Sequence, residues 1–199
     1  GSYMFLSLPI RVADSFCPPL DETDIMYKDM EGNKWIVGRL ASKNLDRERI
    51  QAQPEIIYGR YRIDSSEYLV LLRVGLFLGL IENELKDQYK IATNSRLAIQ
   101  TGLPCLHLIE DRFKLEKQFV GKHCYQVKIG SKKWQTISID IKNKDVFVES
   151  QPFGTLWALG ADRYGEITNI ALLKKGFVIF DAGHRMANTY YNKHGHRGT

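Results

Sequence analysis

The chain has 199 residues, 44% of them hydrophobic, and a net charge of +5, which suits one domain, or two small ones, with a real core. Its three cysteines, Cys17, Cys105 and Cys124, have no C-x-x-C spacing, which excludes a disulfide framework and a zinc site and points to a reducing, cytoplasmic compartment. The most apolar run, residues 68–81, holds 14 residues and includes Arg73, short of the ~20 that a membrane span needs, and no signal peptide is legible at the start. The mild positive charge permits contact with nucleic acid or an acidic partner without requiring either.

Gly1-Ser2 reads as a cloning remnant, residues 5–12 as a strand, and Cys17-Pro18-Pro19 as its break. Residues 25–28 and 34–37 flank Met30-Glu31-Gly32-Asn33, a hairpin signal. Residues 42–61 are polar, with Arg47, Arg49 and Arg60 along them and Arg62 just beyond. That segment is expected to be irregular and exposed, with room for a short helix. Ser65 or Ser66 caps a helix expected to reach about residue 86. Apolar nearly all round, it should be buried, and Gly75 and Gly79, four apart, would let another element come close. Residues 97–100 read as a central strand ending at Thr101-Gly102-Leu103-Pro104.

Residues 111–120 read as an amphipathic helix anchored by Phe113 and Phe119. Residues 124–129, 134–141 and 145–149 form a run of strands, punctuated by Gly130-Ser131-Lys132-Lys133 and Lys142-Asn143. In the second of them Trp134, Thr136 and Ser138 fall on one face, and Gln135, Ile137 and Ile139 on the other. The densest basic region, Lys114, Lys117, Lys122, Lys128, Lys132 and Lys133, has Phe113, Tyr125 and Trp134 among it. Those are the cations and rings of a nucleic-acid site, although a solvated face is the commoner origin of such a patch. His107 and His123 have no partner at ligand spacing, and His194 and His196 sit two apart in the tail, so no metal site is read from them. No repeat is visible, and the mixture of strand runs and helices is an α/β pattern.

Two stretches carry chemistry. In Phe177-Val178-Ile179-Phe180-Asp181-Ala182-Gly183-His184-Arg185-Met186-Ala187-Asn188-Thr189-Tyr190-Tyr191, the apolar run 177–180 reads as a strand buried on both faces. Asp181 and Gly183 then turn into a second strand at 188–191. Glycine lets backbone N–H groups approach phosphate oxygens, and a carboxylate there can hold a hydrated magnesium ion. The other reading is a plain hairpin with Asp and Gly as turn residues. Upstream, residues 146–160 read as a short strand, the polar Gln151, and a helix with Pro152 in its first turn.

Together these stretches resemble the actin-like ATPases, most closely the ParM/StbA-type plasmid-segregation actins and their archaeal relatives. In that family a strand ending in Gln or Glu opens a helix, and a D-x-G-x-R-T-T-D or D-x-G-x-G-T-T loop grips the nucleotide phosphates. Trp35-Ile36-Val37-Gly38-Arg39-Leu40-Ala41 and Leu97-Ala98-Ile99-Gln100-Thr101-Gly102-Leu103-Pro104 match two further family segments in order, so the resemblance runs over roughly residues 5–191. It implies an α/β, actin-like (ribonuclease H-like) fold, a five-stranded mixed sheet flanked by helices, with residues 1–199 as the N-terminal half of the two-domain actin fold. It also implies ATP or GTP with magnesium.

Under the resemblance, Gln151 positions the attacking water, Asp181 holds magnesium through water, Gly183 wraps the phosphates, and His184 and Arg185 lie in the same loop. Read alone, Gln151 suits a helix cap equally well, and His184 and Arg185 suit a turn. The implied partners are further copies of the chain in a filament and a DNA-bound adaptor protein. No membrane and no direct nucleic-acid binding are expected. The chain departs from the family at Met186-Ala187-Asn188, where Thr-Thr-Asp would stand, and methionine cannot donate a hydrogen bond to phosphate. The family's first phosphate loop and second domain are also expected to be absent, leaving a cleft with one wall that would bind weakly. Two other functions therefore stay open: a non-hydrolysing actin-like binding or scaffold module, and a basic nucleic-acid-binding module.

Overall fold

The computed structural model describes residues 7–45, 60–92, 97–162, 166–169, 177–182, 187–193 and 196–198. The chain divides into two compact units, Gly1–Leu97 with Gln118–Lys142, and Ala98–Lys117 with Asn143–Thr199.

The first unit is built on a five-stranded antiparallel sheet. Its order is β1 (Pro9–Val12), β3 (Lys34–Val37), β2 (Ile25–Asp29), β7 (Gly121–Ile129), β8 (Gln135–Ile141). The β2–β3 hairpin forms where its turn residues predict it. Gly32 takes φ 91°, and the Asp29 carboxylate accepts from the N–H groups of Glu31 (3.0 Å) and Asn33 (2.8 Å), the local bonding that makes Asp a turn residue. Residues 25–27 of β2 and 35–37 of β3 are apolar without a break because both faces of the sheet are buried there. On one face Tyr27, Trp35, Val37, Tyr125, Val127 and Ile137 pack against Val70, Val74 and Phe77 of helix α2 (Ser66–Leu80). On the other, Met26 and Ile36 pack with Leu40 and Ala41 of the short helix α1 (Arg39–Lys43). Gly38, at φ 70°, makes the bend between β3 and α1.

Helix α2 begins where predicted, with the Ser65 hydroxyl accepting from the Tyr68 N–H at 3.1 Å. It ends at Leu80, six residues before the expected end. From Ile81 the chain is extended, and β4 (Ile81–Glu84) pairs with β5 (Tyr89–Ile91); a tertiary pairing overrides helical propensity there. Gly75 and Gly79 are both exposed, and among the described residues nothing lies within 4 Å of where a Cβ would stand. They serve no close approach, contrary to the reading of their spacing. Of the expected irregular segment 42–61, residues 46–59 lie outside the described residues, and its end enters a 3-10 turn, Arg60–Asp64.

Some of the polar groups in this core are paired and some are not. Arg73 donates to the Tyr27 hydroxyl at 2.7 Å, and its guanidinium lies 5.7 Å from the centre of the Tyr125 ring. The Tyr125 hydroxyl is buried without a hydrogen-bond partner, and burial pushes its pKa far above the ordinary value. His123 is buried, with Nε2 donating to the Phe119 carbonyl at 2.7 Å. β8 shows the predicted alternation: Ile137 and Ile141 are buried, Thr136 and Ser138 exposed. Trp134 precedes that strand and packs in the second cluster. Gly130, at φ 56°, is required, because a Cβ there would lie 2.8 Å from the Glu22 carbonyl oxygen.

The second unit holds the parallel pair β6 (Ile99–Leu103) and β9 (Val146–Ser150). It also holds helices α3 (Cys105–Phe119) and α4 (Gln151–Gly160), and the antiparallel sheet β10 (Phe177–Ala182), β11 (Ala187–Lys193), β12 (His196–Gly198). Parallel and antiparallel pairing therefore both occur, in separate sheets. β6 runs through Gly102 to Leu103, beyond its expected end, because its ladder with β9 continues to Ser150. α3 starts at Cys105 rather than 111. Phe119 is buried on it, but Phe113 is 69% exposed and anchors nothing among the described residues. β10 is not buried on both faces: Ile179 is buried and Val178 is 70% exposed, the alternation of a strand with one open face. Among the described residues no helix is long and apolar enough to cross a membrane.

Candidate functional site

Two parallel strands end together. In the β6–β9 ladder Leu103 is opposite Ser150, and α4 begins at the next residue, Gln151. Open α/β sheets bind ligands outside the carboxyl ends of their parallel strands, and the first N–H groups of a helix placed there favour an anion. Gln151 occupies that place and is exposed. It is the first residue of the helix, not one standing outside it. Gly102 explains how the helix start comes so close. A Cβ on Gly102 would lie 3.1 Å from both Cα and Cγ of Gln151 and 3.4 Å from its nitrogen, so only glycine fits without displacing the head of α4.

The hairpin β10–β11 belongs to the same unit, and α4 packs on β6, β9, β10 and β11. Asp181 is the last residue but one of β10, in register with Asn188, and Ala182 with Ala187 closes the ladder. Asp181 thus stands in the strand rather than in the turn. Gly183, His184 and Arg185 lie outside the described residues, as does Met186. No group of three or more His, Cys, Asp or Glu able to hold a metal ion occurs among the described residues.

Of the three rings of the basic patch, Phe113 is exposed and the other two are withdrawn. Tyr125 is fully buried and Trp134 is packed in a core cluster. Lys132 is bonded to Glu84 at 2.9 Å and to the Leu85 carbonyl at 2.8 Å, and Lys133 is paired with Asp87 at 3.7 Å. Sequence reasoning also missed a cavity of about 400 Å³ in the first unit, with Ile25, Leu78 and Ile129 in its apolar wall and Glu22, Glu82 and Glu84 among its polar residues. It carries no sequence signal, because it depends on the early end of α2, which frees Ile81 to Glu84 to line it.

No protein-family model matches the sequence, and no curated protein does. Solved structures do. Alp7A, an actin-like protein, superposes with a TM-score of 0.61 at 15% identity, over 96% of this chain and 51% of its own. A non-polymerisable quadruple mutant of pCBH ParM gives 0.59 at 21%, over 95% and 51%. AlfA from B. subtilis plasmid pLS32, in its filament, gives 0.59 at 17%, over 98% and 59%; AlfA has also been solved as a filament bound to AMPPNP. The chain has the actin-like fold. It spans about half the length of these proteins, and the likeness, below 25% identity throughout, is one of fold.

Proposed function

We propose that this chain is the N-terminal, nucleotide-binding part of an actin-like protein that assembles into filaments, in plasmid or DNA segregation or as a cytoskeletal element. The observation that carries the reading is Gln151, exposed at the joint carboxyl ends of β6 and β9, with Gly102 held against it and the Asp181 hairpin in the same unit. The fold is shared with AlfA, which forms filaments and has been solved as a filament bound to AMPPNP. ATP or GTP with magnesium, when bound, supplies a phosphoanhydride whose hydrolysis would time assembly. The Gln151 amide orients water by hydrogen bonds without titrating at neutral pH. The Asp181 carboxylate would hold the hydrated cation. Gly183, His184 and Arg185, outside the described residues, are the residues that would meet the phosphates, glycine because it lets backbone N–H groups approach them. A DNA-bound adaptor is the expected second partner.

The test is pelleting and a thermal shift, with and without magnesium nucleotide. Nucleotide-dependent filaments that are lost in Asp181→Ala support the proposal; no filaments and no shift in any condition would reject it. One observation favours a second reading: Met186-Ala187 removes two hydroxyl donors from the loop, which suits a non-hydrolysing scaffold. In that case nucleotide neither shifts the melting temperature nor changes what pellets, and Gln151→Ala behaves as wild type.

A further inference from the structure

Two surface features outside the Gln151 region remain unexplained, and they match each other. Helix α3 exposes Leu106 (86%), Ile109 (81%) and Phe113 (69%). At spacings of three and four these side chains form one ridge along the helix. A contiguous apolar ridge, unlike scattered single residues, marks a contact surface. One turn beyond Phe113 on the same face stands Lys117. The second feature is the cavity of the first unit, its apolar wall flanked by Glu22, Glu82 and Glu84. Glu82 and Glu84 already pair with Lys90 (2.8 Å) and Lys132 (2.9 Å), and Arg112 pairs with Glu116 on its own helix (3.0 Å). Glu22 and Lys117 have no ion pair among the described residues. The uncommitted charge beside the ridge is therefore positive, and the one beside the cavity negative.

We propose that the α3 ridge of one copy of this protein seats in the cavity of the next, with Lys117 of the first near Glu22 of the second. The occupant is a second copy because the apolar ridge with its uncommitted cation and the apolar wall with its uncommitted carboxylate are found on the same chain. A contact between two different patches does not close on itself in pairs. Repeated, it generates a ring or an open filament. The inference rests on the filament reading above and adds the surface that makes the contact. Three ridge side chains fall well short of the ~800 Å² per partner of a stable interface, so the contact is weak alone and acts together with others along a polymer.

The test measures the critical concentration for pelleting of the protein with magnesium nucleotide, for wild type, Lys117→Glu, Glu22→Lys and the double exchange. Both positions are exposed, so folding is preserved, and circular dichroism checks it. Each single reversal raises the critical concentration on the order of tenfold, and the double variant recovers most of the loss. Ile109→Ser weakens assembly with an unchanged melting temperature. Wild-type filaments that tolerate all of these changes would overturn the surface and leave the filament reading standing, whereas a wild type that never assembles overturns both. Single reversals that weaken assembly without rescue in the double variant overturn the pairing. A melting temperature that drops in Ile109→Ser shows the ridge covered within its own polypeptide, which also overturns it.

Discussion

Gly102→Ala adds one methyl group at the point where β6 meets the head of α4. The new carbon would stand 3.1 Å from the Cα and the Cγ of Gln151, against about 3.5–4.0 Å for a comfortable carbon contact. The Cγ belongs to an exposed side chain and can rotate away. The Cα cannot move without the whole first turn of α4, which Pro152 stiffens. One hard contact in a packed region costs about 1–3 kcal/mol. The reduced freedom of the unfolded chain returns about 0.4–1 kcal/mol, so the net destabilisation is about 1 kcal/mol. Gly75→Ala is the matched control, the same methyl group on an open helix surface with nothing within 4 Å. It should stabilise by about 0.5–1 kcal/mol, the ordinary gain of alanine over glycine inside a helix. Urea unfolding separates the two: at about 1–3 kcal/mol per molar the midpoints move in opposite directions by a few tenths of a molar or more. Because the displaced residue is Gln151, Gly102→Ala should also weaken nucleotide-dependent assembly by more than its stability loss explains. A Gly102→Ala protein as stable as Gly75→Ala would show that β6 and α4 do not approach as described.

The buried tyrosines make opposite predictions. Tyr27→Phe removes the acceptor of the Arg73 bond and should cost about 1.5–3 kcal/mol, the range for bonds to a charged group. Tyr125→Phe removes a hydroxyl that has no partner and should be neutral or slightly stabilising; equal losses in thermal melts would contradict the assignment. His123 predicts a pH dependence. Burial lowers its pKa; the Phe119 carbonyl and Asp140 pull the other way, and Arg73 adds to the lowering. The neutral ring is therefore favoured in the folded state. The unfolded chain takes up the proton first, so stability holds above about pH 6.5 and falls as pH drops below it toward the lowered folded value, by up to ~1.4 kcal/mol per pH unit. The loss in melting temperature between pH 7.5 and 5.5 should shrink in His123→Asn, and an equal loss in both proteins would remove His123 as its cause.

What was legible in the sequence was local. The Asp29–Asn33 turn, the Ser65 cap and the alternation along β8 each depend on residues within a few positions of one another, and each stands where the pattern puts it. The end of α2 was not legible, because nothing near Ile81 announces that β5 will pair with it. The run through Gly102 was read as a strand end, since Thr-Gly-Leu-Pro is turn chemistry, and a ladder to a strand more than forty residues away decides otherwise. The pattern places the start of α3 six residues late for a different reason. Its first turns carry Leu106 and Ile109 on the open face while Asp111 and Leu115 are buried, so the hydrophobic pattern points partly the wrong way. A pattern that misplaces a helix is itself a sign that some of its apolar side chains serve a surface.

The same distinction separates the parts of the candidate site. Gln151 and Asp181 stand out as candidates because each lies in a run whose order of residue types suits the proposed chemistry. The glycine that sets Gln151 in place does not, since a glycine's meaning is decided by what stands across from it. Gly75 and Gly79, at a spacing that suggests close packing, face open space, and Gly102, in what read as a turn, is pressed against a helix. Among the described residues, then, close approach is required where two parallel strands deliver Gln151 and is absent on α2, where sequence spacing suggested it. That placement ties a tight packing constraint of the second unit to the residue on which the proposed chemistry depends. It makes Gly102, more than any charged group nearby, the position at which fold and function should fail together.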